Sequence, residues 1–427
     1  MSEPFTYATL QRWARAAAIF VYRDIDITAA SRVRVDQPAI LAANHQNALG
    51  DIAIIVAKMQ RFPQFLASAT WWKNRAARIL FGWGGVVPIH RRRDSDTSQN
   101  ESTFSACNDA LKAGAHLCIF PEGEMQQGHT LLPVKTGAAR IALSAAETGV
   151  RNVAIIPVGL VYEDMGRVRS DAEIHYGEPI RIDAFLPLYR SDPAKAVHDV
   201  TALLADRLAE ATVNHGSEDE KAVVDRAAQI VLAGSERRLR FARRSALRRA
   251  IAKGIDRAGG DFAKLSDAVE AHDQALTALD ADFPAAPSLD AVPASDRQRL
   301  DAELLFLAAP AALGALVNGP TMGGAWLAGR GRAQGWQATY KGVAGTFLSP
   351  IVWGFETWLL TRRMKTRRAV AIVAAGAVSA PALLAFGDRY RYRKELEWQA
   401  NASQNEPAFT QARATADEVV HQVGVLL

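Results

Sequence analysis

The sequence predicts an α/β domain with a central, largely buried sheet flanked by helices, followed by a helical arm and then by membrane-associated helices. Three observations predict it. Between Ser31 and roughly Val213, short apolar β-like runs alternate with helical stretches, the alternation of an α/β domain. From Ser217 to Leu300 the chain is helix-forming, first Arg-rich and then rich in Ala and Asp, with FPAAPSLDAVP as an interruption around Phe283 to Ala294 that reads as a linker. Beyond it lie three apolar segments, each near the ~20 residues that cross a hydrocarbon core.

The first element is LQRWARAAAIFVY, Leu10 to Tyr22, with Leu10, Trp13, Ala17 and Phe20 at helical spacing and Arg12, Arg15 and Arg23 among or just after them. Such a helix either lies on a bilayer surface with its aromatics down or docks on a core. The α/β alternation then runs ILAAN, DIAIIVAKMQ, GGVVPIH, a helix near Ser102 to Lys112, HLCIF, GAARIALSAAE and VAIIPVGLVY. Four regions are expected: an amphipathic helix in 1–30, the α/β domain in 31–213, the basic arm and linker in 214–300, and membrane-associated helical hairpins with a tail in 301–427.

Leu304 to Gly329 is free of charge but holds Pro310 and Pro320; Gly342 to Leu360 carries only Glu356; Ala369 to Gly387 is charge-free and holds Pro381. Trp326, Trp336, Trp353 and Trp358 sit in or at the ends of these segments, where a bilayer interface favours amphipathic aromatics. Arg362, Arg363, Arg367 and Arg368 precede the last segment, and Arg389, Arg391 and Arg393 follow it. A crossing helix usually keeps its basic residues on one side, so kinked hairpins that enter and leave on one face fit as well as true spans. Core helices of a soluble domain are the plainer alternative.

The chain has 427 residues, 49% of them hydrophobic, and a net charge of +5, enough for more than one core. Basic residues crowd between Arg237 and Arg257 and between Arg362 and Lys394, which suits an anionic surface or a solvated helix face. A nucleic-acid partner is not expected, because the first patch offers only Phe241 for stacking and no recognition motif. Cys107 and Cys118 have no C-x-x-C spacing and no histidine to complete a zinc site, so a reduced compartment and no metal are expected. The early apolar stretch, Ala16 to Tyr22, is short for a secretory signal, and no export is expected.

The strongest local signal is NHQNALGD. An apolar run ends at Asn44 and His45, and a helix is expected to begin at Asp51, which places a histidine at the carboxyl end of a strand. Residues six apart on a regular helix point about 240° apart, so His45 and Asp51 meet only if Gln46 to Gly50 form a loop. If they meet, the carboxylate fixes the imidazole tautomer and leaves the second nitrogen to take a hydroxyl proton. The plainer readings are a helix N-cap for Asp51 and a backbone-satisfied His45. In HLCIFPEGEMQQGHT, Pro121 and Gly123 turn the chain and present Glu122 past a strand end. Arg91 in GVVPIHR and Lys135 in LLPVKTG are cations suited to a phosphate or to solvent. Gly123 to Thr130 has His129 where a P-loop has lysine, which argues against nucleotide binding. No G-x-S-x-G elbow occurs, and Cys118 inside LCIF reads as core. His90, with Asp96 six positions on, sits in a charged stretch with no strand behind it and reads as a decoy.

In order, NHQNALGD, GVVPIHR, FPEG and IPV resemble the four blocks of the glycerol-3-phosphate and lysophosphatidic acid acyltransferase family, over about Ile40 to Leu160. The resemblance implies a mixed central sheet flanked by helices. It implies His45 as base with Asp51 as its partner, and Asn44 beside them. Gly85 and Arg91 would fall in the phosphate-binding block and Glu122 and Gly123 in the acceptor-binding block, with Lys135 as a second phosphate contact and Pro157 in the acyl-side wall. Five residues separate His45 from Asp51 where the commoner spacing is four, and Glu124 and Met125 stand where threonine and arginine usually follow the third block. The implied reaction moves a fatty acyl group from acyl-CoA or acyl carrier protein, as co-substrate with no resident cofactor, to glycerol 3-phosphate or a lysophospholipid, at the cytoplasmic face of a membrane. Transacylation between phospholipids and a catalytically inactive lipid-binding scaffold are the alternatives.

Overall fold

The computed structural model describes the chain except at residues 1–4, 35, 74, 76–77, 79–80, 83–85, 90–99, 126–127, 129, 234–239, 259–261, 282, 284–286 and 291–292. The chain divides into two compact units, 1–216 and 217–427.

The first unit is built on a sheet with eight strands among the described residues: β1 (Tyr22–Thr28), β2 (Ala39–Ala43), β3 (Gln64–Ser68), β4 (Val87–Ile89), β5 (His116–Ile119), β6 (Ala154–Tyr162), β7 (Ser170–Tyr176) and β8 (Ile180–Arg181). Their order is β1-β7-β6-β2-β5-β3-β4, with β8 also on β6. All pairings are parallel except β6 with β7 and β6 with β8, so the sheet is mixed. Central strands β2, β5 and β6 are buried at every position, which explains their unbroken apolar runs: a strand covered on both faces has no polar side to show. Edge strand β1 is buried only at Tyr22 and Ile25.

Helices cover the sheet. They are α1 (Phe5–Val21), α2 (Ala48–Lys58), α3 (Asn100–Lys112), α4 (Gly137–Glu147), α5 (Leu186–Ser191) and α6 (Pro193–Ala211). Ile40, Leu117 and Ile155 from the strands meet Leu111, Ile141, Leu143, Val200 and Leu204 from α3, α4 and α6 in one core. On α1, Gln11 Nε2 donates to Met59 O (2.8 Å) and Arg15 Nε to Ala57 O (3.1 Å). These bonds satisfy carbonyls at and just past the C-terminal end of α2 that have no partner within the helix.

The second unit is helical among the described residues: α7 (Glu218–Val231), α8 (Arg240–Ala258), α9 (Phe262–Thr277), α10 (Ala294–Gly329), α11 (Gln334–Thr361), α12 (Thr366–Val378), α13 (Ala380–Ala402) and α14 (Glu406–Leu426). Val224, Ile251, Leu265, Val269, Val419 and Val423 form a core among α7, α8, α9 and α14. Helix α10 runs unbroken through residue 300 and through Pro310 and Pro320, and α11 runs through Pro350. Both are long and apolar enough to cross a membrane. The pair α12 and α13, bent by 43° around Ser379, makes a third candidate if it is one span. Leu305, Phe306, Phe347 and Ile351 stand exposed on them, an apolar surface of the kind that marks an interaction face. Inside this unit Asn318 Nδ2 donates to Gly376 O at 2.9 Å, a polar tie of the kind that joins helices in lipid.

Candidate active site

Strand β2 ends at Ala43, and the next residue anchors the site. Asn44 is buried, its Oδ1 accepting from Leu160 N (2.7 Å) and its Nδ2 donating to Leu160 O (3.1 Å). That double bond fastens the strand end to β6. The following residue, His45, is held through its backbone, its N–H donating to Glu122 Oε1 at 2.9 Å, and through its ring, stacked on Phe120 with centroids 4.1 Å apart.

His45 and Asp51 do meet: Nδ1 lies 2.7 Å from Asp51 Oδ2. The loop that allows this is shorter than expected. Helix α2 begins at Ala48, not at Asp51, because the chain reverses within Gln46 and Asn47 and Ala48 takes φ 40°, a left-handed conformation an alanine rarely adopts. Gly50 is needed there, since any Cβ would lie 2.9 Å from Asn47 Cγ and from the Tyr22 hydroxyl. Asp51 then reaches back over the turn, and its Oδ2 also accepts from Gln46 N (2.9 Å) and Asn47 N (2.8 Å). Those two amides, beside the helix start, therefore face the carboxylate.

A carboxylate at Nδ1 leaves the proton on that nitrogen and a lone pair on Nε2. Nε2 has no hydrogen-bond partner among the described residues, and the imidazole is 22% exposed while Asp51 is fully buried. The arrangement can take a proton from a hydroxyl that approaches from the open side.

Glu122, past the end of β5, is buried, and its second oxygen accepts from Leu132 N at 3.0 Å. Burial pushes its carboxyl above the usual carboxylate range, against the pull of the two amides. Gly123 takes φ +70°, and the Lys135 side chain passes over it so closely that a Cβ would lie 2.6 Å from Nζ. Lys135 is exposed and 3.9 Å from Glu124 Oε1. Glu122, Gly123 and Lys135 thus share one turn beside His45. Pro157 stands apart, buried in β6 opposite Ala42 with its ring beside Gly177. Gly85, Arg91, His90 and Asp96 lie outside the described residues.

Sequence reasoning missed three residues. Tyr162 donates to Asp51 Oδ1, Tyr22 accepts from Asn47 Nδ2 at 2.9 Å, and Phe120 forms the floor under the imidazole. A hydroxyl closing the apolar run VGLVY was the available signal for Tyr162. Cys118 is a core residue whose thiol burial pushes up.

An acyltransferase family model matches residues 24–161, which hold this whole cluster except Tyr22 and Tyr162. Residues 24–161 therefore carry an acyltransferase domain. Acyltransferase relatives include glycerol-3-phosphate O-acyltransferase 2 of Saccharomyces cerevisiae, 33% identical over 133 residues, covering 31% of this chain and 18% of the relative. The chloroplastic 1-acyl-sn-glycerol-3-phosphate acyltransferase BAT2 of Brassica napus is 27% identical over 191 residues, covering 44% of this chain and 51% of the relative. The chain therefore spans less than two thirds of either. The crystal structure of the 1-acyl-sn-glycerophosphate acyltransferase of Thermotoga maritima aligns at a TM-score of 0.36 and 20% identity, over 47% of this chain and 79% of that one.

Proposed function

We propose that the protein moves a fatty acyl group from a thioester, acyl-CoA or acyl carrier protein, to the hydroxyl of glycerol 3-phosphate or lysophosphatidate. The observation that carries this reading is the 2.7 Å pair of His45 Nδ1 and Asp51 Oδ2, with Nε2 open, inside an acyltransferase domain. In this reading Cys107 and Cys118, both buried, take no part, and the acceptor oxygen attacks the thioester carbonyl directly.

In that attack the acceptor O–H proton passes to His45 Nε2 as the new C–O bond forms. The tetrahedral adduct then collapses, the C–S bond breaks, and the thiolate leaves with the proton that the imidazolium returns. Asp51 acts by holding the ring and its tautomer. Lys135, with Arg91, holds the acceptor phosphate in this reading, and Glu124 beside Lys135 competes for the same cation. Glu122 fits a positioning role better than acceptor contact, because both its oxygens already take backbone amides.

Acyl-CoA and lysophosphatidate are amphiphiles, and in this reading α10 and α11, long and apolar enough to cross a membrane, keep the enzyme at a bilayer. Two free, buried cysteines suit a domain on the reducing, cytoplasmic face. The test is detergent-solubilised protein with radiolabelled acyl-CoA, then acyl carrier protein thioester, against glycerol 3-phosphate and lysophosphatidate in turn. Labelled lysophosphatidate or phosphatidate that depends on the added thioester is the expected product. Product formed from phospholipid without any thioester contradicts the donor assignment.

A further inference from the structure

The two oxygens of Asp51 have different partners. Oδ2 takes His45 Nδ1, Gln46 N and Asn47 N, while Oδ1 takes the hydroxyl of Tyr162, the last residue of β6. Tyr22, the first residue of β1, packs against Tyr162, and its hydroxyl accepts from Asn47 Nδ2 at 2.9 Å. The Asp51 carboxylate has only lone pairs to offer, so Tyr162 gives its one proton to Oδ1. Both phenols are buried, with ring centroids 5.9 Å apart, and burial together with the Asp51 charge keeps both protonated.

Turning a carboxylate about its Cβ–Cγ bond carries both oxygens out of line together, so a donor on Oδ1 resists the rotation that would move Oδ2, and a buried donor resists it more firmly. The consequence falls on Oδ2, which must stay in line with Nδ1 for one tautomer of His45 to persist.

We propose that Tyr162, backed by Tyr22, is a positioning residue that fixes the plane of the Asp51 carboxylate and through it the tautomer His45 presents to the acceptor hydroxyl. The inference rests on the acyl-transfer reading above. Tyr162→Phe keeps the ring and removes the donor. It is expected to lower kcat roughly tenfold with both KM values unchanged, and Tyr22→Phe is expected to do less. In an Asp51→Asn background Tyr162→Phe should cost nothing further, because the group it acts through is already altered. A merely structural role would give losses that multiply in the double variant.

A second readout needs no turnover. The ¹⁵N-histidine spectrum, with His45 assigned by its loss in His45→Ala, should show one Nδ1-protonated ring in the wild type and a tautomer mixture in Tyr162→Phe. An unchanged kcat in Tyr162→Phe, multiplying losses in the double variant, or an unchanged His45 tautomer each overturns the proposal. If the wild type transfers no acyl group, the acyl-transfer reading fails separately, and the spectrum alone decides for or against Tyr162.

Discussion

The backbone amide of His45 and the Oε1 of Glu122 are 2.9 Å apart, so the strand end that carries the imidazole is bonded to the turn that carries Gly123 and Lys135. The other Glu122 oxygen takes Leu132 N, and one buried side chain fixes both walls of the site.

Glu122→Ala leaves two amides without acceptors. Each unsatisfied buried group costs about 1–3 kcal/mol, so the melting temperature should fall together with kcat. Thermal unfolding beside steady-state kinetics checks this. A raised acceptor KM at unchanged stability would instead mark Glu122 as an acceptor contact.

Gly123→Ala places a methyl where Lys135 now runs, at a left-handed φ that costs a non-glycine residue about 1 kcal/mol. The lysine must move, so the acceptor KM should rise severalfold with kcat little changed, and Lys135→Ala should match it. Initial rates over a range of acceptor concentration decide. A Gly123→Ala enzyme with wild-type KM would separate Lys135 from the phosphate.

His116, at the start of β5, is buried, and its Nε2 faces the carbonyls of Arg34 (3.2 Å) and Gln37 (3.1 Å). Burial is the main cause that holds its pKa below the ordinary histidine value. The unfolded chain therefore binds a proton at about pH 6.5 that the folded chain refuses until lower pH. Stability from this residue is full above that point and is lost as pH falls through it. Urea unfolding between pH 8 and pH 5 should show the decline, and His116→Phe should flatten it.

Helices α10 and α11 should hold the protein in membranes through an alkaline carbonate wash and release it only to detergent. Recovery in the carbonate supernatant would show that the exposed apolar faces of Leu305, Phe306 and Phe347 meet something other than a bilayer interior.

Much of the site was legible because its parts are local. His45 and Asp51 fall within one short turn, and Pro121, Glu122 and Gly123 are consecutive, so residue chemistry and turn propensity were enough to pick them out. The buried sheet was legible for a similar reason, since β2, β5 and β6 are apolar at nearly every position. The start of α2 was misplaced because Ala48 adopts a conformation its side chain disfavours, which no propensity anticipates. Tyr22 and Tyr162 were invisible because they converge through the order β1-β7-β6. Strand order depends on long-range pairing, and a tyrosine at a strand end reads locally as an ordinary β-former. The placement of Glu122 was blurred in the same way, because one of its partners is the backbone amide of His45, distant in the chain.

Whether His45 takes the acceptor proton is read from the single-turnover rate of acyl transfer by His45→Ala beside the wild type and Asp51→Asn. His45→Ala is expected to lower that rate at least about a hundredfold and Asp51→Asn by less, with both variants folded. A His45→Ala protein that transfers acyl groups at the wild-type rate would contradict this role of His45.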